Sequence, residues 1–536
     1  MPYPPHFQAT LGRVNATRGF RKTQEIKRLT DAERTRLISD FHPDYRAEGM
    51  SALIIGPNRG DKVPVELARA LESYSIFDPD RLQLSEPDYD TDILIIGGGG
   101  AGCAAALTAD QSGADVLMAT KLRLGDANTL MAEGGICSAV RPEDNPYMHY
   151  IDTIGGGHYT NVPELVKALV MDGPEIASWL MDMGVMFDYE ADGSLKVNHC
   201  GGHSRKRMLS CKDLTGLELM RVLRDEMRDR EIPCLEFSPV VDLLLDENGS
   251  CSGAVLFNME TAEFSVVRAG AVILASGGIG RLHIQGFPTT NHYGATADGL
   301  VFAYRAGAKM VHMDSIQYHP TGTVWPEQLL GQLITEVMRG HGAHLVNLSG
   351  DRFINELECR DTCASACIRE CSERGEGVTT PTGLEGVWLD TPLIPEIQKH
   401  FVGIYQRFKK YDIDIQQEPI LVYPTQHYQN GGLIINAQAQ TTLPGLYASG
   451  EVAGGIQGKN RLAGNSLLDI FVYGRRAARS ALEMIPEKAG SGQGSLTVEH
   501  LRAWHNQLKQ IGIPETRRSP VLLPDYTPAG VKTGGL

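Results

Sequence analysis

The sequence predicts an α/β protein, and three observations support this prediction. Residues 92–96, Asp-Ile-Leu-Ile-Ile, form the short apolar run that is typical of a strand buried on both faces of a parallel sheet. A glycine-rich turn and an alanine-rich stretch to 109 follow at once, and a second apolar run at 115–119 lies within the length of one βαβ unit. Further apolar runs punctuated by glycine lie at 271–278 and 445–450.

Residues 1–88 precede this pattern and are predicted to be an N-terminal extension. Thr30 and Glu33 have the spacing of a capping box, and Pro64 stands where a helix over 65–71 would begin. We interpret this extension as a surface decoration, and a partner-docking arm is the alternative.

The glycine-rich turn has the pattern of a dinucleotide-binding site. In such a site Gly97 makes the tight turn, Gly99 lets the backbone approach a pyrophosphate, and Gly102 permits close helix packing. The following helix N-terminus would offer N–H groups and a positive dipole end to the phosphates. A purely structural turn is the alternative, and the strand before the motif and the helix after it favour the nucleotide.

The end of the second predicted strand helps to decide which nucleotide is bound. Thr120 and Lys121 stand where an acidic residue commonly holds the ribose of NAD, which weakens an NAD assignment and leaves FAD open. Glu451 follows a later apparent strand and is placed as a ribityl-binding carboxylate would be, although a single acid is more often a surface residue.

Composition and charge exclude several other classes of protein. With 42% hydrophobic residues the chain can bury sizeable cores, so it is not a disordered protein. Its 65 acidic and 50 basic residues give a net charge of −15, which argues against nucleic acid as a partner. Five glycines interrupt the uncharged stretch 93–109, so no membrane span is expected. Ordinary cysteine usage and an N-terminus without an apolar signal core predict a cytoplasmic protein, with any membrane association made through a partner.

From about residue 90 to 482 the sequence resembles the flavoprotein subunits of succinate dehydrogenase and fumarate reductase, with L-aspartate oxidase as a close relative. The resemblance depends on an ordered set of motifs. These are the glycine motif at 97–102, Met-Ala-Glu-Gly-Gly-Ile at 131–136, Gln-Tyr-His-Pro-Thr-Gly at 317–322, Thr-Glu-x-x-Arg-Gly at 335–340, Arg-Asp at 360–361, His-Tyr-x-x-Gly-Gly at 427–432 and Asn-Arg-x-x-Gly-Asn-Ser-Leu at 460–467.

The resemblance implies a role for each matching residue. Arg360 would be the proton donor, and Glu336 and Arg339 would feed protons to it. The residues that would hold the two carboxylates of a C4 dicarboxylate are His319, Thr335, His427 and Arg461. The residues that would contact FAD, beside the three glycines and Thr120 and Lys121, are Asn128, Thr129, Gly134, Gly135, Asp298, Glu451, Ser466 and Leu467.

These residue types suit the implied chemistry. Reduction of an alkene such as fumarate takes a hydride from flavin N5 at one carbon and a proton at the other. Cationic and hydrogen-bonding groups around one carboxylate would stabilise the developing negative charge. Arginine binds carboxylates in two-pronged fashion, although as an acid it must be refilled at once because a guanidinium is almost always protonated. Without the family pattern, Arg360 would be interpreted as a structural ion pair.

The resemblance also implies the domain organisation. We expect a Rossmann-like FAD-binding domain at 89–312 and 420–485, with an α+β capping domain inserted at 313–419. A short helical or irregular C-terminal tail would occupy 486–536. The substrate would lie at the junction of the two domains, where clefts commonly form binding sites.

The sequence departs from the family pattern at one cofactor position. Membrane-bound members attach FAD covalently through a histidine, and Asn128 stands at the matching place. Asparagine cannot form that bond, so non-covalent FAD is predicted, and this favours fumarate reduction over succinate oxidation.

Four cysteines recur at every fourth position beside the predicted proton donor, namely Cys359, Cys363, Cys367 and Cys371. On a helix the first and last would be about 18 Å apart, too far for one compact cluster. We therefore predict buried thiols on a packed helix face and no metal site.

Three functions remain open. The favoured one is a fumarate reductase-type enzyme that receives electrons from a separate iron–sulfur or heterodisulfide-reductase-like subunit, for which residues 1–88 are a possible docking surface. The second is an L-aspartate oxidase, favoured by Gly-Gly-His-Ser at 201–204 and opposed by Cys200, where those enzymes carry an acid. The third is a flavin electron-relay subunit without dicarboxylate turnover.

Overall fold

The computed structural model of the chain describes residues 3–81, 84–485 and 495–526. Two sheets organise these residues, one of seven strands and one of five, with helices packed on both. Among the helices described, none combines the length and the apolar character that crossing a membrane requires.

The N-terminal extension forms two helices, a small hairpin and a third helix. Its elements are α1 (Phe7–Arg21), α2 (Asp31–Phe41), β1 (Met50–Ala52), β2 (Lys62–Pro64), α3 (Val65–Leu71) and β3 (Tyr74–Ser75). The predicted capping box is confirmed, since the Thr30 N–H donates to Glu33 Oε2 at 2.8 Å and the Glu33 N–H donates back to Thr30 Oγ1. The helix predicted over 65–71 is confirmed as α3.

The extension is built into the body of the protein, so its interpretation as a surface decoration is wrong. Phe7, Leu11 and Val14 of α1 lie in the core beneath the five-stranded sheet. The spacing of these residues places them on one face of the helix, and that apolar face is buried on the sheet. Arg21 of the same helix forms a buried ion pair with Asp390 at 2.8 Å.

The next part of the chain forms most of the larger sheet. Its elements are β4 (Tyr89–Ile96), α4 (Gly100–Gln111), β5 (Val116–Ala119), β6 (Ile136–Cys137), α5 (Pro146–Gly156), α6 (Pro163–Asp182), β7 (Met208–Leu209), α7 (Thr215–Asp229), β8 (Cys234–Leu235), β9 (Val240–Leu245), β10 (Cys251–Phe257), β11 (Phe264–Leu274), α8 (Asp298–Arg305) and β12 (Met310–Val311).

The four apolar runs noted in the sequence contribute strands that pair with one another in this sheet. The strand order is β8-β5-β4-β11-β10-β9, and a later strand at Leu446–Ala448 also pairs with β11. The contacts of β4 with β5 and β11 are parallel. Carboxyl ends of parallel strands meet at one sheet edge, and the glycine-rich turn lies there.

Residues 316–429 form the smaller sheet and the helices around it. The elements are β13 (Ile316–Thr323), α9 (Val337–Gly340), β14 (His344–Val346), α10 (Arg360–Ser372), β15 (Val378–Thr379), β16 (Glu385–Asp390), α11 (Ile397–His400), α12 (Val402–Lys409) and β17 (Ile420–Gln429). The sheet is antiparallel in the order β13-β17-β16-β14, with β15 beside β16. We expected the chain to re-enter the FAD-binding domain at residue 420. Residue 420 instead begins β17, which lies between β13 and β16 in the five-stranded sheet.

The remaining elements complete the fold, and one of them, the strand at Leu446–Ala448, joins the larger sheet. They are β18 (Gly432–Ile434), β19 (Leu446–Ala448), β20 (Ala453–Gly454), α13 (Asn465–Met484), α14 (Glu499–Gln510) and β21 (Arg518–Ser519). The described part of the predicted tail is ordered as α14 and β21, and β21 pairs with β3 of the N-terminal extension. Residues 486–494 and 527–536 of that tail lie outside the described residues.

Candidate active site

One continuous cleft joins the glycine-rich turn to the junction of the two sheets. It encloses about 1700 Å³, with its open mouth included. The carboxyl ends of β4, β5 and β11 form one end, and residues from the smaller sheet and from α10 form the other. A single cavity therefore offers space for a dinucleotide and a small substrate side by side.

The turn after β4 has the close approaches that require glycine. Gly97 has φ +118°, and a Cβ there would lie 2.3 Å from the Ala275 carbonyl oxygen. A Cβ on Gly102 would lie 1.9 Å from the Gly97 oxygen, so this residue packs the helix on the turn and does not line the cleft. Gly99 is the N-cap of α4 and lines the cleft.

Three helix N-termini border the same cleft. Gly100 begins α4, Asp298 begins α8, and Ser466 and Leu467 lie in the first turn of α13 after Gly464. Unpaired N–H groups and the positive dipole end make a helix N-terminus favourable for anions. This end of the cleft suits a pyrophosphate.

Polar side chains line the wall of the dinucleotide end. Lys121 Nζ donates to Thr296 Oγ1 at 2.6 Å and to Asp298 Oδ2 at 2.5 Å. Thr129 Oγ1 accepts from the N–H of Gly100 at 3.1 Å, which fixes the start of α4. Thr120 also lines this wall.

Glu451 and Asn128 lie together nearer to the middle of the cleft. Glu451 Oε1 accepts from the Gln429 N–H at 2.9 Å, and Asn128 Nδ2 lies 3.4 Å from Glu451 Oε2. Asn128 also donates to Asn291 Oδ1 at 2.7 Å. Burial raises the pKa of Glu451 to about 7, so this carboxyl group can donate as well as accept hydrogen bonds near neutral pH.

The residues present fit FAD. The glycine turn and the helix N-termini provide a phosphate cradle, and Ser276 Oγ is a buried polar atom of the lining without a partner. Gly277 lines the same stretch with φ +77°, and a Cβ there would meet no atom within 4 Å. Open space beside an unpaired hydroxyl is what a polar cofactor would fill.

The far end of the cleft is built around a buried carboxylate. Glu336 Oε2 accepts from Arg360 Nε at 2.7 Å, and Arg339 Nη2 lies 3.2 Å from the same oxygen. The other oxygen accepts from the Gly201 N–H at 2.6 Å. Burial alone would raise the pKa of Glu336, but Arg360 and Arg339 lower it to about 2. Glu336 and Arg360 line the cleft, and Arg339 lies behind them.

A second arginine, Arg461, lies in the segment just before α13. Arg461 Nη2 donates to Gln317 Oε1 at 3.0 Å, and Arg360 Nη1 donates to the same oxygen at 3.0 Å. The guanidinium of Arg461 lies 4.5 Å from the ring centroid of Tyr428, a cation–π contact. Burial and the Arg360 charge lower the pKa of Arg461 to about 9, which leaves it charged at neutral pH.

Two histidines complete this end. The rings of His319 and His427 are 5.1 Å apart, edge to face, and His427 Nδ1 hydrogen-bonds with Thr290 Oγ1 at 2.7 Å. Burial and the neighbouring guanidinium groups hold the pKa of both histidines well below the ordinary value, so both are neutral. His319 Nε2 is buried and lacks a hydrogen-bond partner.

The charges at this end do not balance. Three guanidinium groups, of Arg339, Arg360 and Arg461, face one carboxylate, Glu336. Glu133 is paired with Arg407 at 2.6 Å. Glu451 and Asp469 also interact with Arg461, but burial raises the pKa of each to about 7, so they are charged only in part at neutral pH. The excess of positive charge in this buried cavity calls for an anionic ligand.

The structure brings most of the predicted site residues to this one cleft. The predicted residues that line it are Gly97, Gly99, Thr120, Lys121, Asn128, Thr129, Gly134, Gly135, Asp298, His319, Thr335, Glu336, Arg360, His427, Glu451, Arg461, Ser466 and Leu467. The other two, Gly102 and Arg339, lie directly behind lining residues.

Three residues that organise the arginines and histidines had no role predicted from the sequence. These are Gln317, Tyr428 and Thr290. A role for Gln317 could have been predicted, because residues two apart on a strand share a face and His319 was already assigned to the site. Thr290 lies outside every quoted motif.

The prediction of buried thiols on a helix is confirmed for three of the four cysteines, and the fourth, Cys359, is half-buried. Cys359 is the N-cap residue of α10, and Cys363, Cys367 and Cys371 lie buried along that helix. Burial raises the pKa of Cys363 to about 12, which keeps its thiol protonated. Among the described residues, no cluster of histidine, cysteine and acidic side chains has the arrangement of a metal site.

The fold and the cleft define a class of protein, an FAD-dependent oxidoreductase. Residues 92–467 match the FAD binding domain family. The chain belongs to this family, and within it to the flavoproteins of the fumarate reductase and succinate dehydrogenase type, which act on CH–CH groups.

The relatives and solved structures are consistent with each other. The chain is 38% identical over 405 residues to a fumarate reductase (CoM/CoB) subunit of Methanothermobacter marburgensis, covering 73% of this chain and 72% of that one. It is 36% identical over 402 residues to L-aspartate oxidase of Streptomyces coelicolor, covering 72% and 67%. A variant of the E. coli quinol fumarate reductase FrdA superposes with a TM-score of 0.71 at 30% identity, covering 79% and 74%.

Proposed function

We propose that the protein reduces fumarate or a closely similar unsaturated C4 dicarboxylate, with FAD held non-covalently. The observation that carries this proposal is the excess of positive charge, from Arg339, Arg360 and Arg461, at the buried end of the cleft. A fumarate dianion would neutralise it, and clamping both carboxylates would fix the reacting carbons. Such positioning can be worth about 7–11 kcal/mol of the barrier.

Each residue of this end has a proposed task. Arg461 and His427 would bind one carboxylate, and His319 with Thr335 would bind the other, with the unpaired His319 Nε2 directed to it. Bound FAD would supply the hydride. The cationic groups would stabilise the negative charge that develops on the substrate.

The proton would come from Arg360, refilled through Glu336 and Arg339. The three groups are in direct contact, because Glu336 Oε2 touches both guanidinium groups. With a pKa of about 2, Glu336 is ionised at rest and would carry a proton only while it passes to Arg360. The negative charge of Glu336 also holds Arg360 in place at the cleft wall.

L-Aspartate oxidase is the second candidate, because relatives of that name match the chain. The charges argue against it, since the ammonium group of aspartate would enter a site that already has excess positive charge. Cys200 stands where those enzymes carry an acid, and it is buried against Met208, with 3.5 Å between the sulfur atoms.

The electrons would come from a separate iron–sulfur subunit, or from one like those of heterodisulfide reductases. The Methanothermobacter relative is itself named as one subunit of a fumarate reductase. Docking through the N-terminal extension stays a prediction, and it would have to use exposed residues such as Phe20 and Tyr45, because the apolar face of α1 is buried.

Anaerobic reoxidation tests the proposal. The purified protein is reduced with dithionite, and flavin absorbance is followed after fumarate, succinate or buffer is added. Rapid reoxidation by fumarate alone is expected, with FAD released on acid precipitation. Hydrogen peroxide from L-aspartate and oxygen, without reoxidation by fumarate, would favour the second candidate. Failure to bind any dicarboxylate would favour an electron-relay role.

A further inference from the structure

A hydrogen-bonded pair joins the cap to the FAD-binding domain beside the proposed proton donor. His158 follows α5 in the larger domain, and Asp361 is the second residue of the cap helix α10, directly after Arg360. His158 Nε2 donates to Asp361 Oδ2 at 2.5 Å. The Asp361 side chain is 8% exposed, and Oδ1 accepts from the Thr362 N–H at 2.7 Å, so this carboxylate is fixed on the helix.

The backbone around His158 is held in an unfavourable conformation. His158 and Tyr159 have φ +58° and +57°, the left-handed region that L-residues avoid, and three glycines at 155–157 precede them. Two consecutive residues of this kind persist only where surrounding contacts over-determine them. The conformation aims the imidazole at the cap.

The same loop is tied to the chain next to Arg461. Asn460 Nδ2 donates to the Gly156 carbonyl oxygen at 2.9 Å, and the Lys459 N–H donates to Thr160 Oγ1 at 2.9 Å. The loop 155–160 therefore holds the residue before Arg461 and, through His158, the residue after Arg360.

We propose that His158 is a positioning residue that latches the first turn of α10 to the FAD-binding domain, so that Arg360 and Arg461 face one substrate. This inference depends on the proposed function, because it assigns the latch to the closure of the dicarboxylate site. The latch holds the cap closed before the substrate arrives. A substrate that contacts both domains supplies its own closure once it is bound.

The latch is sensitive to pH. Arg34 of α2 and His42 act on His158. His42, Asp44 and Cys359 act on Asp361. The hydrogen bond to Asp361 raises the pKa of His158, and Arg34 opposes this in part. The charged pair is therefore complete below the ordinary histidine pKa of 6.5 and is lost as the pH rises through the raised value.

Two single variants and their combination test the latch. His158→Asn keeps a residue that tolerates the left-handed backbone but is too short to reach the cap, and Asp361→Asn keeps the Oδ1 acceptor but removes the charge. We expect each to raise the KM for fumarate by about 2- to 150-fold, the range of coupling between contacting residues. We expect kcat to stay within about twofold, because saturating fumarate closes the cap. The double variant should be no worse than either single one.

The matched control is Asp172→Asn. It removes an ion pair with Arg476 that joins α6 to α13 inside the FAD-binding domain, at 2.7 Å. The KM of the Asp172→Asn variant for fumarate should equal that of the wild type. In the wild type, KM should rise as the pH is raised above the ordinary histidine pKa of 6.5, and His158→Asn should abolish that rise.

Hydrogen exchange of the amides at 360–364, measured without substrate on the FAD-loaded protein, reads the latch independently of turnover. Faster exchange in both single variants but not in the control is expected. Unchanged exchange and unchanged KM, or effects that add in the double variant, would overturn the latch. If fumarate failed to reoxidise the wild type while hydrogen exchange in the single variants changed as expected, the proposed function would be overturned. The latch would then remain as a contact between the domains.

Discussion

Replacement of Arg360 by glutamine tests the proposed proton path most directly. In the wild type Arg360 Nε donates to Glu336 and Nη1 donates to Gln317, and the guanidinium lines the cleft. Glutamine is shorter and neutral, so it cannot make both contacts and has no acidic proton to give. The replacement also removes one positive charge from this end of the cleft.

The size of the effect follows from these losses. A positioned general acid typically contributes about 10²- to 10⁴-fold to a rate. At about 1.4 kcal/mol per tenfold, this is a rise of about 3–5 kcal/mol in the barrier. One cation lost from a buried charge pair would also weaken dicarboxylate binding, by about 2–5 kcal/mol.

The assay is stopped-flow reoxidation of the reduced protein by saturating fumarate under anaerobic conditions. Arg369→Gln is the matched control, because Arg369 lies on the same helix and pairs with Glu370 away from the cleft. The control should react as the wild type does. If Arg360→Gln, with full FAD content, stayed within about tenfold of the wild type, the assignment of the proton donor would be refuted.

Four further outcomes are expected. Gly97→Ala should reduce FAD content, since the added Cβ would lie 2.3 Å from a backbone oxygen. Gly113→Ala is the control, because Gly113 also has a positive φ but lies in open space, and this variant should lose some stability and keep FAD. The FAD absorbance per protein molecule measures both outcomes. Burial raises the pKa of Glu451 to about 7, so the folded FAD-free protein holds a proton that the unfolded chain releases near pH 4.5. The stability of the wild type should therefore fall as the pH rises from 4.5 to 7. Glu451→Gln should lessen that fall, as a series of thermal melts at different pH values would measure. The thiol of Cys363 should resist a disulfide reagent at pH 8 until the protein is unfolded, as peptide mapping would detect, and rapid labelling of the native protein would contradict its burial. Phe7→Ala should destabilise the protein by about 3–5 kcal/mol in urea unfolding, and a loss under about 1 kcal/mol would show that α1 is not part of the cap core.

Local pattern sufficed to predict the nucleotide-binding unit. The strand at 92–96, the glycines after it and the next strand are close in sequence, and each has its own signal in apolar runs or glycine spacing. The helix that begins after Pro64 and the capping box of Thr30 were predicted on the same grounds. In each case residues a few positions apart satisfy one another, so the sequence alone contains the information.

The boundaries and the N-terminal packing required contacts between distant residues. Nothing near residue 420 indicates that β17 must pair with β13, about a hundred residues earlier. The burial of α1 likewise depends on a sheet formed more than 300 residues later, to which Arg21 is tied through Asp390. Such pairings depend on three-dimensional proximity, which a scan of local pattern does not measure.

The sequence by itself determined the class of cofactor and the residue types of the candidate site, because glycine spacing and the ordered motifs are properties of the chain. Only the tertiary structure decided how those residues act on one another. Each interaction at the site involves residues from separate segments of the chain. Examples are the hydrogen bonds of two arginines to Gln317, the effect of Arg360 on the pKa of Glu336, and the contact of His158 with Asp361. Charges interact through space, and burial strengthens these interactions, so the excess of positive charge in the cleft appears only once the chain is folded.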